Sequence, residues 1–210
     1  MNTEIILSPE ELYFFGKLLQ AKYMDYAYVA AIKGIGKEGA LFDKEIQAKL
    51  VSSGALLEDF SGNIEVNSDY SDLLKPVFFG EFESALNDYV NGDEAKATVI
   101  KFHMLDDVIT MVSSLNGKFI FKRVDLLEIK EIIENMLPED YSCEDGVEEK
   151  LYKDKLSRVI VFKNTAVGKA AKGERFFGQD GKLFRISDSN VFVTVSREMF
   201  ENLSYNIIKG

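Results

Sequence analysis

The spacing of apolar residues changes near Phe79 from a helical repeat to a strand repeat, and this change constrains the fold more than any other feature. Upstream, apolar residues recur at helical spacing, as in Leu12, Phe15, Leu18 and Leu19. Downstream, every second residue faces one side, as in Thr98, Ile100, Phe102 and Met104. The dipeptide Asn116-Gly117 between two such runs is typical of a tight antiparallel hairpin. The pattern therefore predicts an α+β protein with a mostly antiparallel sheet and flanking helices.

Several predicted helices have recognisable start signals. Ser8 and Glu11 have the spacing of a capping box, with Pro9 at the first helical position. Asp125 and Glu128 form a second box, and Ser196 is expected to cap the last helix. The other predicted helices are residues 25–32, residues 42–53 capped by Asp43, and residues 68–77 stopped near Pro76.

Two stretches of the chain repeat one order of elements, in which several strands are followed by a helix. The predicted strands are residues 64–66, 82–90, 96–104, 108–112, 118–121, 158–162, 175–177, 183–186 and 191–195. We therefore predict a single domain, residues 1–210, as a quasi-two-fold arrangement of two strand-strand-helix halves. The pseudo-repeat halves are residues 1–138 and 151–210, and the acidic segment 139–150 joins them.

The charge and the apolar runs exclude several kinds of partner. Lys and Arg number 25 against 35 Asp and Glu, a formal net charge of −10. A field of that sign repels phosphate backbones, so no nucleic-acid partner is predicted. No run of about 18 apolar residues occurs, and the N-terminus has no signal-peptide pattern, so membrane insertion is not expected. Together with the single cysteine, Cys143, these features predict a cytoplasmic protein.

The chain has few residues suited to catalysis or metal binding. Structural zinc sites need four Cys or His ligands, whereas this chain has one histidine, His103, and one cysteine, Cys143. No G-x-S-x-G elbow accompanies the single possible base. His103 is expected to be a half-buried or exposed residue of a strand. No catalytic, metal-binding or cofactor-binding residue is assigned, and the chain is predicted not to be an enzyme.

A glycine motif leaves one alternative open. Residues 34–39 satisfy G-x-G-x-x-G, and Glu58 or Asp59 follows at about the distance of the dinucleotide-binding acid. The run before the motif is helical in pattern, and the next helix is expected at Asp43, too late for its N-terminus to meet a phosphate at Gly36. An interhelix loop is the preferred interpretation, and a nucleotide-binding enzyme is the alternative.

A second alternative comes from residues 43–67, which resemble a winged-helix fragment: a helix, Gly54, and a strand with a Gly62-Asn63 turn. A DNA-reading module needs a basic recognition helix, and here Lys44 and Lys49 are offset by Asp43 and Glu45. A winged-helix regulatory module therefore remains only an alternative.

Paired aromatic residues are the candidates for a partner-binding surface. An exposed apolar patch accepts an amphipathic helix, whereas the same residues buried would belong to the core. The candidate partner-binding residues are Phe78, Phe79, Phe82, Phe176 and Phe177.

Three stretches of the chain carry a resemblance to a known family. Residues 7–12, Leu-Ser-Pro-Glu-Glu-Leu, open the first predicted helix. Residues 50–56, Leu-Val-Ser-Ser-Gly-Ala-Leu, combine a helix end, a glycine and the start of a short wing, and residues 173–195 with the last helix form a closing hairpin and helix. In this order they resemble the EspG family, the cytosolic chaperones of type VII (ESX) secretion systems, and the similarity of layout covers nearly the whole chain.

The resemblance implies a quasi-two-fold α+β protein that binds helical secretion substrates and keeps them soluble. This chain is shorter than typical mycobacterial members, which suggests a Firmicute-type relative with WXG100- or LXG-like helical proteins as partners. The resemblance assigns no individual binding residue to this chain.

Overall fold

The computed structural model of the 210-residue chain describes residues 4–34, 39–90, 97–166 and 169–210, apart from the side chain of residue 40. The helices in these residues are α1 (Pro9–Leu18), α2 (Tyr26–Lys33), α3 (Ala40–Ser52), α4 (Ser68–Phe79), α5 (Leu126–Glu134) and α6 (Arg197–Lys209). The strands are β1 (Glu4–Leu7), β2 (Leu56–Glu58), β3 (Ile64–Val66), β4 (Phe82–Val90), β5 (Thr98–Leu105), β6 (Val108–Leu115), β7 (Lys118–Val124), β8 (Arg158–Ala166), β9 (Lys172–Gln179), β10 (Lys182–Ile186) and β11 (Phe192–Thr194). Antiparallel strand pairs with flanking helices confirm the predicted α+β class.

The chain forms two compact units. Unit 1 comprises Met1–Glu81 and His103–Arg123, and unit 2 comprises Phe82–Phe102 and Val124–Gly210. Unit 1 has the strand order β1-β7-β6-β5, with residues 103–105 of β5, and β2 pairs with β3 in a separate hairpin. Unit 2 has the order β5-β4-β8-β9-β10-β11, with residues 98–102 of β5. The predicted single domain with halves 1–138 and 151–210 stays a prediction.

Local signals place the caps and hairpins where they were predicted. Ser8 Oγ accepts a hydrogen bond from the Glu11 amide, and the Glu11 carboxylate accepts one from the Ser8 amide at 2.7 Å. Asp125 and Glu128 form the same reciprocal box at the start of α5. Asn116 and Gly117 both have positive φ, 52° and 75°, as a two-residue hairpin turn of this type requires.

The main differences from the predicted elements concern α3, α4 and two short strands. Helix α3 begins at Ala40 with Gly39 as its N-cap, so Asp43 lies in its first turn and is not the cap. Helix α4 continues past Pro76 to Phe79, because burial of Val77 and Phe78 outweighs the backbone hydrogen bond that proline cannot donate. Strands β1 and β2 were not predicted, since runs of three or four residues are too short for a clear periodicity.

The core of unit 1 forms where α1 and α4 bury their apolar faces. Its fully buried side chains include Leu12, Phe15, Leu74, Phe78 and Phe121. Gly80 ends α4 at a close backbone approach, where an added Cβ would lie 2.6 Å from the Met104 carbonyl oxygen and closer still to that of Pro76. Only glycine fits there without displacing backbone.

The core of unit 2 is built around three aromatic rings. Phe200 of α6 packs edge-on against Phe162 of β8 and Phe176 of β9, with ring centroids 5.8 and 4.9 Å away. Beside them, buried Asn164 donates from Nδ2 to the Ser84 hydroxyl at 3.0 Å and to the Ile207 carbonyl at 2.9 Å. The Ser84 hydroxyl donates to the Ile208 carbonyl at 2.8 Å. Packing and hydrogen bonds therefore fix α6 on one face of the sheet.

The acidic segment 139–150 belongs to unit 2 and packs against its strands. The Tyr141 hydroxyl accepts from the Leu183 amide at 3.0 Å and donates to the Val195 carbonyl at 2.7 Å. Val147 and Thr194 exchange a further pair of hydrogen bonds, from the Thr194 amide to the Val147 carbonyl and from the Val147 amide to Thr194 Oγ1. Burial raises the pKa of Tyr141 from 10.0 to about 12. The Tyr141 hydroxyl thus serves as the hydrogen-bond partner of the Leu183 amide in β10, in place of a backbone carbonyl.

Replacing Gly80 with alanine is expected to lower the free energy of unfolding by about 1–3 kcal/mol, because the new Cβ meets two backbone carbonyls that cannot move independently. Urea denaturation measures the change. The control is Gly34→Ala at the end of α2, where the backbone is right-handed and the nearest atom lies 3.3 Å from an added Cβ. An equal loss in both variants would contradict the close approach at Gly80.

Replacing Tyr141 with phenylalanine is expected to lower stability by about 1–3 kcal/mol near pH 8, because the substitution removes two hydrogen bonds to backbone groups. Below pH 10.0, the ordinary pKa of a tyrosine, the phenol is protonated in the folded and in the unfolded chain. The folded chain keeps this proton until about pH 12. The stabilisation by the neutral phenol is therefore lost as the pH rises from 10 to 12. The difference between wild type and variant is expected to narrow over that range.

Urea denaturation between pH 8 and pH 11 measures this difference. The control is Tyr26→Phe, because the Tyr26 side chain is 82 % exposed. A stability difference for Tyr141→Phe that stays constant between pH 10 and pH 11 would contradict a half-buried, neutral phenol.

Candidate functional site on the outer sheet face of unit 2

The side chains of β8 alternate between the two faces of the sheet. Ile160 and Phe162 are fully buried, and the Phe162 ring contacts α6 through Phe200. Because successive side chains of a strand point to opposite faces, Val159, Val161 and Lys163 lie on the face away from α6. We call this face of unit 2 the outer face.

The strand register brings apolar residues of neighbouring strands together on the outer face. Val159 of β8 is opposite Phe177 of β9, and Phe177 is opposite Phe184 of β10. Ile186, two residues further along β10, shares that face and is 44 % exposed. The Phe177 ring is half-buried and packs edge-on against Phe192, with 5.6 Å between the ring centroids. Phe184 is only 1 % exposed, so the outer face is covered at Phe184 and keeps solvent access at Phe177 and Ile186.

A groove of about 420 Å³ runs along this face. Val161, Ala171 and Ile186 supply its apolar side chains, and Phe162, Gly173 and Glu174 complete the lining. Lys163, Lys172 and Arg175 supply positive charge. Gly173 keeps the strands close, since an added Cβ would lie 2.8 Å from the Phe162 carbonyl oxygen.

The charge of the groove is opposite to that of the chain. Three cationic residues and one carboxylate line it, in a protein with a formal net charge of −10. An apolar floor with a cationic rim suits a protein surface on which apolar side chains are flanked by Asp or Glu. Among the described residues, no group of three or more His, Cys, Asp or Glu side chains is arranged to hold a metal ion.

The structure separates the predicted aromatic candidates. Phe78 and Phe176 are fully buried core residues, so the prediction that they present surface to a partner is corrected: helix α4 and strand β9 turn these two rings inward. Phe79 and Phe82 are half-buried. Phe177 lies on the outer face beside the groove. A role in partner binding stays a prediction for these three.

His103 is not the half-buried or exposed residue that the sequence predicts. Its side chain is 4 % exposed, and Nε2 lies 2.8 Å from the hydroxyl of Tyr28, which is also buried. The Tyr28 ring packs edge-on against Phe119 at 5.1 Å. This pair belongs to the core of unit 1. Cys143 is a half-buried free thiol in segment 139–150.

The glycine motif follows a helix. Gly34 is the C-cap of α2, which agrees with the predicted helical run before the motif. Residues 35–38 lie outside the described residues, and with them Gly36. Helix α3 follows from Ala40, nearer to the motif than predicted.

The winged-helix pattern is present as a helix followed by a hairpin, since α3 leads into β2 and β3. Of the lysines on α3, Lys49 pairs with Glu11 at 2.8 Å and Lys44 is exposed. This helix is not a basic surface of the kind that reads DNA.

The sequence predicted one outer-face residue, Phe177, and missed its neighbours. The sequence of β8 shows that its side chains alternate between two faces, but it does not show which of the two faces a helix covers. Lys163 and Lys172 lie outside the predicted strands 158–162 and 175–177, and only the strand register brings them beside Val161 and Ile186.

Comparisons with known proteins find similarity among solved structures but none in sequence. No protein-family model matches the chain, and no curated protein matches it in sequence. Among solved structures, it is similar to the Mycobacterium tuberculosis type VII secretion system chaperone EspG5, solved in complex with the PE25–PPE41 dimer. The TM-score is 0.62 at 6 % sequence identity, and the match covers 99 % of this chain and 96 % of that chain. The chain therefore has an EspG-like fold, as the resemblance implied, and membership of the family stays a prediction.

No helix within the described residues combines the length and apolar character needed to cross a lipid bilayer.

Proposed function

We propose that this protein is a chaperone or adaptor that binds helical substrates of a type VII-like (ESX) secretion system. The observation that carries the proposal is the EspG-like fold over 99 % of the chain. EspG5 itself was solved bound to another protein dimer, which supports protein binding as the activity of this fold. We further propose that the protein is cytoplasmic and has no catalytic centre of its own.

The outer face of unit 2 is the proposed contact surface. Val161 and Ile186 offer apolar area, and Lys163 and Arg175 offer charge beside it. A partner helix would place apolar residues at helical spacing along the groove and acidic residues towards its rim. WXG100- or LXG-like helical proteins are the proposed partners.

Charge reversal at the groove is expected to weaken this binding at least tenfold. The variant is Lys163→Glu with Arg175→Glu, which replaces two attractive charges with two repulsive ones. The measurement is titration calorimetry of the purified protein with purified WXG100- or LXG-like proteins from the same source. The expected effect shrinks at high salt, since the contacts at the rim are screened.

The matched control is Lys153→Glu with Lys209→Glu, two exposed lysines of unit 2 outside the groove lining. It changes the net charge of the chain by the same amount and is expected to bind as wild type does. If partner binding were weakened equally in both variants, the groove would not be the contact surface. Absence of binding to any such helical protein would contradict the proposed function itself.

A further inference from the structure

The β2–β3 hairpin of unit 1 presents an apolar tip to solvent. Phe60, between the two strands, is fully exposed, and Leu57 of β2 is 52 % exposed. Aromatic side chains are enriched in protein interfaces, and the full exposure of Phe60 leaves its apolar area available to a partner. We call Phe60 with its hairpin the knob.

The knob is held in one shape by its own loop. The Asp59 carboxylate accepts hydrogen bonds from the Ser61 and Asn63 amides at 2.8 and 2.9 Å, and from Asn63 Nδ2 at 2.8 Å. These bonds, led by the one from the Asn63 side chain, favour the ionised carboxylate and lower the pKa of Asp59. Because the tip is ordered beforehand, inserting Phe60 into a partner costs little further ordering of the backbone.

The surroundings of the knob are acidic. All charged residues between Lys49 and Lys75 are carboxylates: Glu58, Asp59, Glu65, Asp69 and Asp72. A partner pocket that receives Phe60 should therefore be apolar inside and carry cations at its rim.

Unit 1 itself contains such a pocket, formed by α1, α2 and the segment between them. Its volume is about 420 Å³, within the range of about 300–1,000 Å³ typical of ligand pockets. Its apolar lining comes from Gly16, Ala21, Met24, Val29 and Ile32. We call it the α1–α2 pocket.

Lysines and tyrosines form the rest of the pocket lining. Lys17, Lys22 and Lys33 are all exposed, and Lys22 Nζ lies 4.8 Å from the centroid of the Tyr23 ring. Lys22 also pairs with Glu81 at 3.4 Å, but both side chains are largely exposed, so this ion pair is weak and exchanges easily. Lys17 is paired with Asp43, whereas Lys22 and Lys33 can turn their positive charge towards an acidic partner.

We propose that the knob of one copy inserts Phe60 into the α1–α2 pocket of a second copy of this chain. Phe60 is fully exposed and so is not seated in the pocket of its own chain. The knob and the pocket are complementary in polarity and in charge. The knob is an aromatic tip among carboxylates, and the pocket is apolar with lysines at its rim. This inference does not depend on the proposed function, and it concerns unit 1 alone.

The contact is heterologous, because knob and pocket are different surfaces of the chain. Each copy carries one of each, so the contact either closes into a small ring or dimer or continues as a chain of copies. Self-association is expected to rise with concentration and to fall with salt, since carboxylates and lysines face each other across the contact.

Sedimentation of purified variants tests the proposal. Phe60→Ser removes the knob, and Lys22→Glu with Lys33→Glu reverses the rim. Each is expected to weaken self-association at least tenfold. Mixing the two variants is expected to restore association, because the first retains a pocket and the second retains a knob. Both changes affect exposed side chains, and circular dichroism verifies the fold of each variant.

Two controls match these changes. Leu41→Ser alters a leucine of unit 1 that is 80 % exposed, and Lys44→Glu with Lys118→Glu reverses two exposed lysines elsewhere in that unit. Neither is expected to change association. A wild-type protein that stays monomeric at all concentrations, an unchanged Phe60→Ser variant, or a mixture that does not associate would each overturn the proposal. None of these outcomes involves a secretion substrate, so the proposed function is tested separately.

Discussion

The packing of Phe200 on Phe162 and Phe176 is the interaction on which the candidate site depends. All three rings are fully buried, and each edge-on aromatic pair contributes about 0.5–1.5 kcal/mol beyond the burial of area. Asn164 and Ser84 add hydrogen bonds to the last carbonyls of α6. With one face of the sheet covered in this way, strand alternation commits Val159, Val161 and Phe177 to the other face. The outer face is thus a consequence of where the core of unit 2 lies.

Charge gives that face its chemical character. The chain is acidic overall, yet Lys163, Lys172 and Arg175 gather around a groove with an apolar floor. In an acidic protein, a local positive field of this kind favours the binding of acidic partner surfaces at that place. The EspG-like fold and this groove support the same proposal from independent directions: the first from the arrangement of the elements, the second from the chemistry of individual side chains.

The elements that the sequence predicted are those governed by neighbouring residues. The boxes at Ser8 and Asp125 and the turn at Asn116-Gly117 depend on hydrogen bonds within a few positions, so the pattern alone locates them. The passage of α4 through Pro76 depends on burial of Phe78, which is a tertiary effect and outweighs the local stop signal. The exposure of the candidate site residues also depends on tertiary packing and cannot be read from the local pattern. Phe176 and Phe177 are adjacent and identical in type, and only the position of α6 makes one a core residue and the other a surface residue.

Hydroxyl-radical footprinting of the protein with and without a bound helical partner tests the account most directly, because it reports the side chains that a partner covers. Phe177 and Ile186 are accessible in the free protein and are expected to lose labelling in the complex, whereas Tyr26 of unit 1 is expected to label equally in both states. A stable complex in which Phe177 and Ile186 remain as reactive as in the free protein would show that the partner binds elsewhere, and would contradict the assignment of the outer face.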